Sequence, residues 1–98
     1  MNRNKNIELI DVSKFIATIA SKENIADFLS EILTKSEIET LSKRWRIIKM
    51  LNDKKTQREV AQELKVSLCK VTRGARILKN KNSIITNYLQ KEKLYENQ

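Results

Sequence analysis

The sequence predicts an all-helical protein, and three observations carry that reading. Apolar residues recur at spacings of three and four along nearly the whole chain, the period of amphipathic helices. The 98 residues include one Gly and no Pro, which leaves turn-rich β sandwiches and barrels without their punctuation. Thr34-Lys-Ser-Glu37 and Thr56-Gln-Arg-Glu59 both carry the capping box that opens a helix, in which the hydroxyl and the Glu satisfy exposed backbone N–H groups reciprocally. A chain of this length holds one domain, residues 1–98.

Six helices are expected. The first runs from about Ile7 to Ala20, with Leu9, Val12, Ile16 and Ile19 on one stripe and Phe15 beside it. Ser21 or Asn24 caps the second, whose Ile25, Phe28, Leu29, Ile32 and Leu33 fall on one buried face. The third starts at the Thr34 capping box and reaches about Leu51, with Ile38, Leu41, Trp45 and Ile48 as its stripe and Trp45 read as core. After the break at 52–55, a short fourth helix follows Thr56 and carries Val60, Ala61 and Leu64. Lys65-Val66-Ser67 interrupts the pattern, and Ser67 caps a fifth helix holding Leu68, Val71, Ala75 and Leu78 inward. The sixth spans about 83–94 on Ile84, Ile85, Tyr88 and Leu89, with fraying beyond Tyr95. Residues of about 7–52 thus form a helical core, 56–79 a two-helix unit and 83–94 a terminal helix.

Composition removes most enzyme chemistries. With no His and a single Cys, Cys69, the chain cannot build a His/Cys zinc site, a Ser-His-Asp or Cys-His nucleophile, or an internal disulfide, and no metal is expected. Its apolar runs are short, and Glu8, Asp11 and Lys14 break the N-terminal segment. That is neither a signal peptide nor a spanning helix, so no membrane partner and a cytoplasmic location are expected.

Charge points to a polyanion. The net charge is +8, but residues 1–34 hold four basic and five acidic side chains, whereas residues 54–81 hold nine basic residues against only Glu59 and Glu63. Such an asymmetric field captures phosphate-rich partners, although a solvated face of a basic protein has the same composition. Two short helices joined by about three residues inside that segment match a helix-turn-helix. In Gln57–Gly74, Val60 and Leu64 anchor the first helix, Ala61 is small at the crossing, Val66 plugs the turn and Val71 seats the second helix. Lys65 stands where such turns favour Gly, because a left-handed conformation costs a side chain with a Cβ on the order of 1 kcal/mol.

Leu33-Thr34, Leu41-Ser-Lys-Arg-Trp-Arg-Ile47, Thr56-Gln-Arg-Glu59, and Val71-Thr-Arg-Gly74 followed by Leu78-Lys79 together resemble the tryptophan repressor family. The resemblance covers about Leu33 to Leu89, with one residue fewer between Leu51 and Thr56. It implies an intertwined homodimer of six-helix subunits that binds double-stranded operator DNA with L-tryptophan as co-repressor. The sequence itself favours assembly, since a chain this small cannot readily bury the stripes of helices one to three and six within itself.

The resemblance also assigns residues. Arg44 and Arg73 would hold the indole between guanidinium planes, one of them pairing the carboxylate, tasks that suit a planar fork able to stack and to bond in two places. Thr34 and the backbone near Leu33 would lie beside the ligand, and Gly74 would permit close approach. A lone Gly inside a helix, costing about 1 kcal/mol relative to Ala, has a packing or ligand reason. Ile77 stands where the best-known members carry a Ser near the ligand ammonium group. Gln57, Arg58, Leu68, Cys69, Lys70, Thr72 and Lys79 occupy DNA-facing positions, with Arg58 expected to read guanine. Ser67, Cys69 and Lys70 differ from the family at the front of the fifth helix, and Ala61 replaces a Lys that reaches DNA, so the operator is expected to differ. Two other readings fit the residues: a regulator that is ligand-independent or uses another co-repressor, and a basic helical module for protein or RNA.

Overall fold

The computed structural model describes residues 6–96, which form six helices with no strand among them. They are α1 (Ile7–Thr18), α2 (Lys22–Ile32), α3 (Lys35–Asn52), α4 (Gln57–Leu64), α5 (Leu68–Lys79) and α6 (Ile84–Glu96). The all-helical expectation holds, and most boundaries fall within a residue or two of the pattern. The first helix stops at Thr18 rather than near Ala20 because Ile19 turns to extended backbone. The sixth helix continues through Glu96, one residue past the point where fraying is expected, and the rest of that tail, residues 97–98, lies outside the described residues.

Side-chain caps set where the helices start. Asn6 Oδ1 accepts from the Leu9 N–H at 2.9 Å, and Ser21 Oγ accepts from the Asn24 N–H at 3.0 Å, so Ser21 rather than Asn24 caps α2. Both capping boxes close. Thr34 Oγ1 accepts from the Glu37 N–H at 3.1 Å while the Thr34 N–H donates to the Glu37 carboxylate at 2.8 Å. Thr56 and Glu59 repeat the same two distances. Substituting such caps by Ala typically costs about 1 kcal/mol.

Contacts divide the chain after Ile38 into two compact units. In the first, Phe15 and Phe28 join α1 to α2 edge to face, with ring centroids 5.0 Å apart, a geometry that aromatic quadrupoles favour. Val12, Ile16, Ile25 and Leu29 are half-buried there, but no residue of α1 or α2 is buried outright.

The second unit has a core. Ile47, Val60 and Val71 are buried together, from α3, α4 and α5, with Met50, Leu51, Ala61, Leu64 and Val66 packed around them. Ile48 and Leu89 are also buried. Polar tethers fix the ends. Thr86, itself buried, donates its hydroxyl to the Ile77 carbonyl at 2.7 Å, and Lys93 Nζ donates to the Asn52 carbonyl at 2.9 Å. The first adds a second donor to a carbonyl that already accepts from the Asn80 N–H at 3.2 Å in the last turn of α5, and the second supplies a donor to a carbonyl at the C-terminus of α3.

Several stripe residues differ from expectation, and Leu9, Ile32 and Leu41 are exposed instead of covered by their own chain. Trp45 is 41% exposed rather than core, because Ile47 and Ile48 turn inward and Trp45 lies roughly 200° around the helix from Ile47. It lies 6.3 Å from the Tyr88 ring, on an open face shared with Leu41. Leu68 is 49% exposed instead of inward, since the first buried position of α5 is Val71. Ile84 is 86% exposed and Tyr88 is half-exposed, so of the apolar positions expected on α6 only Leu89 is buried.

Candidate functional site

The basic segment is built by α4, a three-residue turn and α5. Thr56 points α4 through its capping box, and the backbone N–H and hydroxyl of Thr56 hold the Glu59 carboxyl below its ordinary pKa. At the other end Lys65 adopts φ 56° and ψ 48°, the left-handed conformation expected to favour Gly. That turn lets Val66 pack on the core and brings Ser67 to cap α5, its Oγ accepting from the Lys70 N–H at 3.3 Å. Val60 and Val71 are fully buried between the two helices, so the outward face of α5 is fixed by the inward one.

On that outward face stand Leu68, Cys69, Lys70, Arg73, Arg76 and Lys79, all exposed, with Thr72 half-buried. Cys69 is a free, exposed thiol. Arg58 is exposed on α4, and Gln57, half-buried, accepts a hydrogen bond at its Oε1 from the Thr72 hydroxyl at 2.9 Å. The two ion pairs found among the described residues are Lys49–Glu92 at 3.6 Å and Lys55–Glu63 at 3.1 Å. Arg44, Arg58, Lys70, Arg73, Arg76 and Lys79 therefore have no carboxylate partner among those residues.

Gly74 is where α5 meets α3. It is buried, and a Cβ placed on it would come within 3.0 Å of Ile47 Cγ2, 3.5 Å of Ile48 Cγ1 and 3.6 Å of Leu51 Cδ1. Close helix packing is thus sufficient reason for the glycine. Ile48 and Arg44 are four residues apart and share a face of α3, so the contact lies one turn from Arg44 and directly beside Arg73. Ile77, half-buried, follows Arg73 by one turn on α5. Leu33 and Thr34 belong to the first unit, Leu33 ending α2 and Thr34 opening α3.

Sequence reasoning missed two features of this region. The Gln57–Thr72 bond and the Thr86–Ile77 tether both join residues on different helices. Only Thr86 left a trace, as a hydroxyl between the apolar positions Ile85 and Leu89. Among the described residues no cluster of His, Cys, Asp and Glu could hold a metal ion. None of the described helices is long and apolar enough to cross a membrane.

A profile of the Trp repressor protein family matches residues 8–93. A Trp operon repressor homolog from Xylella fastidiosa (strain M23) is 38% identical over 96 residues, which is 97% of this chain and 100% of that protein. Homologs of the same name from Chlamydia trachomatis serovar D and Chlamydia caviae are 35% and 36% identical, over 76% and 70% of this chain and 85% and 69% of their own. No solved structure matches significantly. The match runs from the first turn of α1 into the last turns of α6 and takes in both capping boxes, the Lys65 turn and Gly74, so the chain belongs to the Trp repressor family, a family of transcriptional repressors and not of enzymes.

Proposed function

We propose that this chain is a cytoplasmic repressor that binds operator DNA as a homodimer through a helix-turn-helix formed by α4 and α5, and that L-tryptophan activates it. The observation that carries the proposal is the α3–α5 contact at Gly74, which has at its edge the guanidinium groups of Arg44 and Arg73, neither with a carboxylate partner among the described residues. A planar aromatic amino acid offers those groups a ring to stack on and a carboxylate to grip. A ligand bridging α3 and α5 would fix the angle at which α5 presents Lys70, Thr72 and Lys79. Leu33, Thr34, Gly74 and Ile77 complete the proposed ligand contacts.

Assembly is supported by what the chain leaves open. Ile7, Leu9, Ile10, Phe15, Ile32, Leu41, Trp45, Ile84, Tyr88 and Leu94 are all exposed, a large share of the apolar side chains for a protein this small. Two interlocked copies, joined through about residues 7–52 and the α6 face, would cover them. The α4–α5 units would then stand outward, with Gln57, Arg58, Leu68, Cys69, Lys70, Thr72 and Lys79 toward DNA and Arg58 placed to bond guanine.

Ile77 favours a second reading, a regulator that ignores L-tryptophan, because an aliphatic side chain stands where the resemblance expects a hydroxyl for the ligand ammonium. Calorimetric titration with L-tryptophan separates the two. Saturable binding of one ligand per subunit, lost in Arg73→Ala and tightened in Ile77→Ser, supports the first. The absence of binding together with intact DNA affinity replaces it with the second.

A further inference from the structure

We infer that Thr72 is a positioning residue: it donates its proton to Gln57 and thereby turns the amide NH2 of Gln57 toward a backbone phosphate of duplex DNA. The inference rests on the DNA-binding reading of α4 and α5. Thr72 Oγ1 donates to Gln57 Oε1 at 2.9 Å across fifteen residues of sequence, linking the second turn of α5 to the first residue of α4. A hydroxyl has one proton to give. While Gln57 holds it, Thr72 turns only lone pairs outward and cannot donate to a phosphate oxygen, which itself only accepts.

The amide has the complementary property. Its carbonyl end is occupied by Thr72, and its Nε2 finds no partner among the described residues. No unpartnered side-chain nitrogen or oxygen among them is buried, so this nitrogen is not sealed in the core, and neither of its N–H groups has a partner among the described residues. The two orientations of a Gln amide have nearly the same shape and opposite polarity. Flipped, it would face a phosphate with its carbonyl oxygen and repel it; held by Thr72, it faces a phosphate with donors. The charge of the whole segment favours a phosphate over a base edge, since residues 54–81 hold nine basic side chains against Glu59 and Glu63 and draw the polyanion to this face. Of the two residues assigned to DNA on grounds of position, Gln57 thus makes the contact and Thr72 aims it.

Anisotropy titrations of the full chain with duplexes of several sequences, across a salt series, test this. Thr72→Val and Gln57→Ala should each weaken binding by about three- to tenfold, alike on every sequence. Thr72→Ser, which keeps the proton, should bind like the parent. The double variant should bind no more weakly than Gln57→Ala alone, because an aiming residue has nothing left to aim. Gln57→Glu keeps an acceptor for Thr72 but loses both donors, so it should bind more weakly than Gln57→Ala at an unchanged melting temperature; it decides the matter if Thr72→Val does not fold. Additive losses in the double variant would show that Thr72 touches DNA itself and overturn the inference. So would a loss confined to one sequence, which makes the amide a base reader, or a Gln57→Glu variant that binds like the parent. If the parent chain binds no duplex at all, the DNA-binding reading fails first, an outcome distinct from binding with additive losses.

Discussion

The two units of this chain solve the same problem differently. Through Ile38, helices start on good caps, Asn6, Ser21 and Thr34, yet no residue of α1 or α2 is buried and one aromatic pair joins them. From Glu39 on, three buried β-branched residues, Ile47, Val60 and Val71, come from three helices, and polar tethers at Thr86 and Lys93 tie down helix ends. Capping decides where a helix begins and contributes about 1 kcal/mol; burial decides whether it stays folded alone. The charge is divided in the same way, with the mildly acidic N-terminal third set against the basic remainder. The unit with a core carries the candidate DNA-facing residues on its outer face, and both units leave large apolar side chains exposed, Phe15 and Ile32 in the first, Trp45 and Ile84 in the second.

The comparison breaks most visibly at single side chains. Leu89→Ala should cost about 2–5 kcal/mol at any protein concentration, because Leu89 is fully buried within its own chain. Phe15→Ala in dilute protein should cost only about 0.5–1.5 kcal/mol for the lost edge-to-face pair, and more as concentration rises if a second copy covers the face. Thermal melts of both variants over a hundredfold dilution check this, and equal, concentration-independent losses would erase the distinction.

Gly74→Ala sharpens the account of the second unit. In an open helix this change gains about 1 kcal/mol. Here the new methyl meets Ile47, whose branched side chain is buried and stiff in a helix, so overpacking of about 1–3 kcal/mol should outweigh the gain and lower the melting temperature. A rise instead would mean that α3 and α5 can separate easily, and the contact beside Arg44 and Arg73 would lose its meaning. Lys65→Gly acts in the opposite sense. Relief of the left-handed strain at φ 56° should stabilise the chain by up to about 1 kcal/mol in denaturant titrations, without altering any buried contact.

The smallest effect is electrostatic. The pKa of the Glu59 carboxyl is lowered in the folded chain by the Thr56 backbone N–H and hydroxyl. A group whose folded pKa lies below its unfolded one adds stability that is complete above the unfolded value and fades as pH falls through the folded value. The parent chain should therefore lose stability relative to Glu59→Gln as pH drops through and below about 4, and the two pH profiles should run parallel at neutrality. Profiles that differ by a constant down to the lowest pH would remove the ionised carboxylate from the cap.

Much of this was legible in the sequence, for physical reasons that also mark where legibility ends. Thr34-Lys-Ser-Glu37 and Thr56-Gln-Arg-Glu59 are local devices, complete within four residues, and both close as read. Lys65 was conspicuous because a left-handed turn position normally lacks a Cβ, and it holds that conformation. Trp45 and Ile84 misled because an apolar stripe looks the same whether its own chain or another molecule covers it. Ile47 and Ile48 are adjacent, and periodicity alone cannot say which of two neighbours faces a crossing helix. The Thr72–Gln57 and Thr86–Ile77 bonds depend on how helices cross, a matter that no spacing encodes.

The central claim, a DNA reader in the second unit that L-tryptophan switches on, is tested most directly by selecting binders from a pool of random duplexes, with and without saturating L-tryptophan. The account predicts enrichment only with the amino acid, of sequences holding two inverted half-sites about one helical turn, roughly 34 Å, apart, and loss of that enrichment in Arg73→Ala. Equal enrichment with and without L-tryptophan, or none in either case, would contradict it.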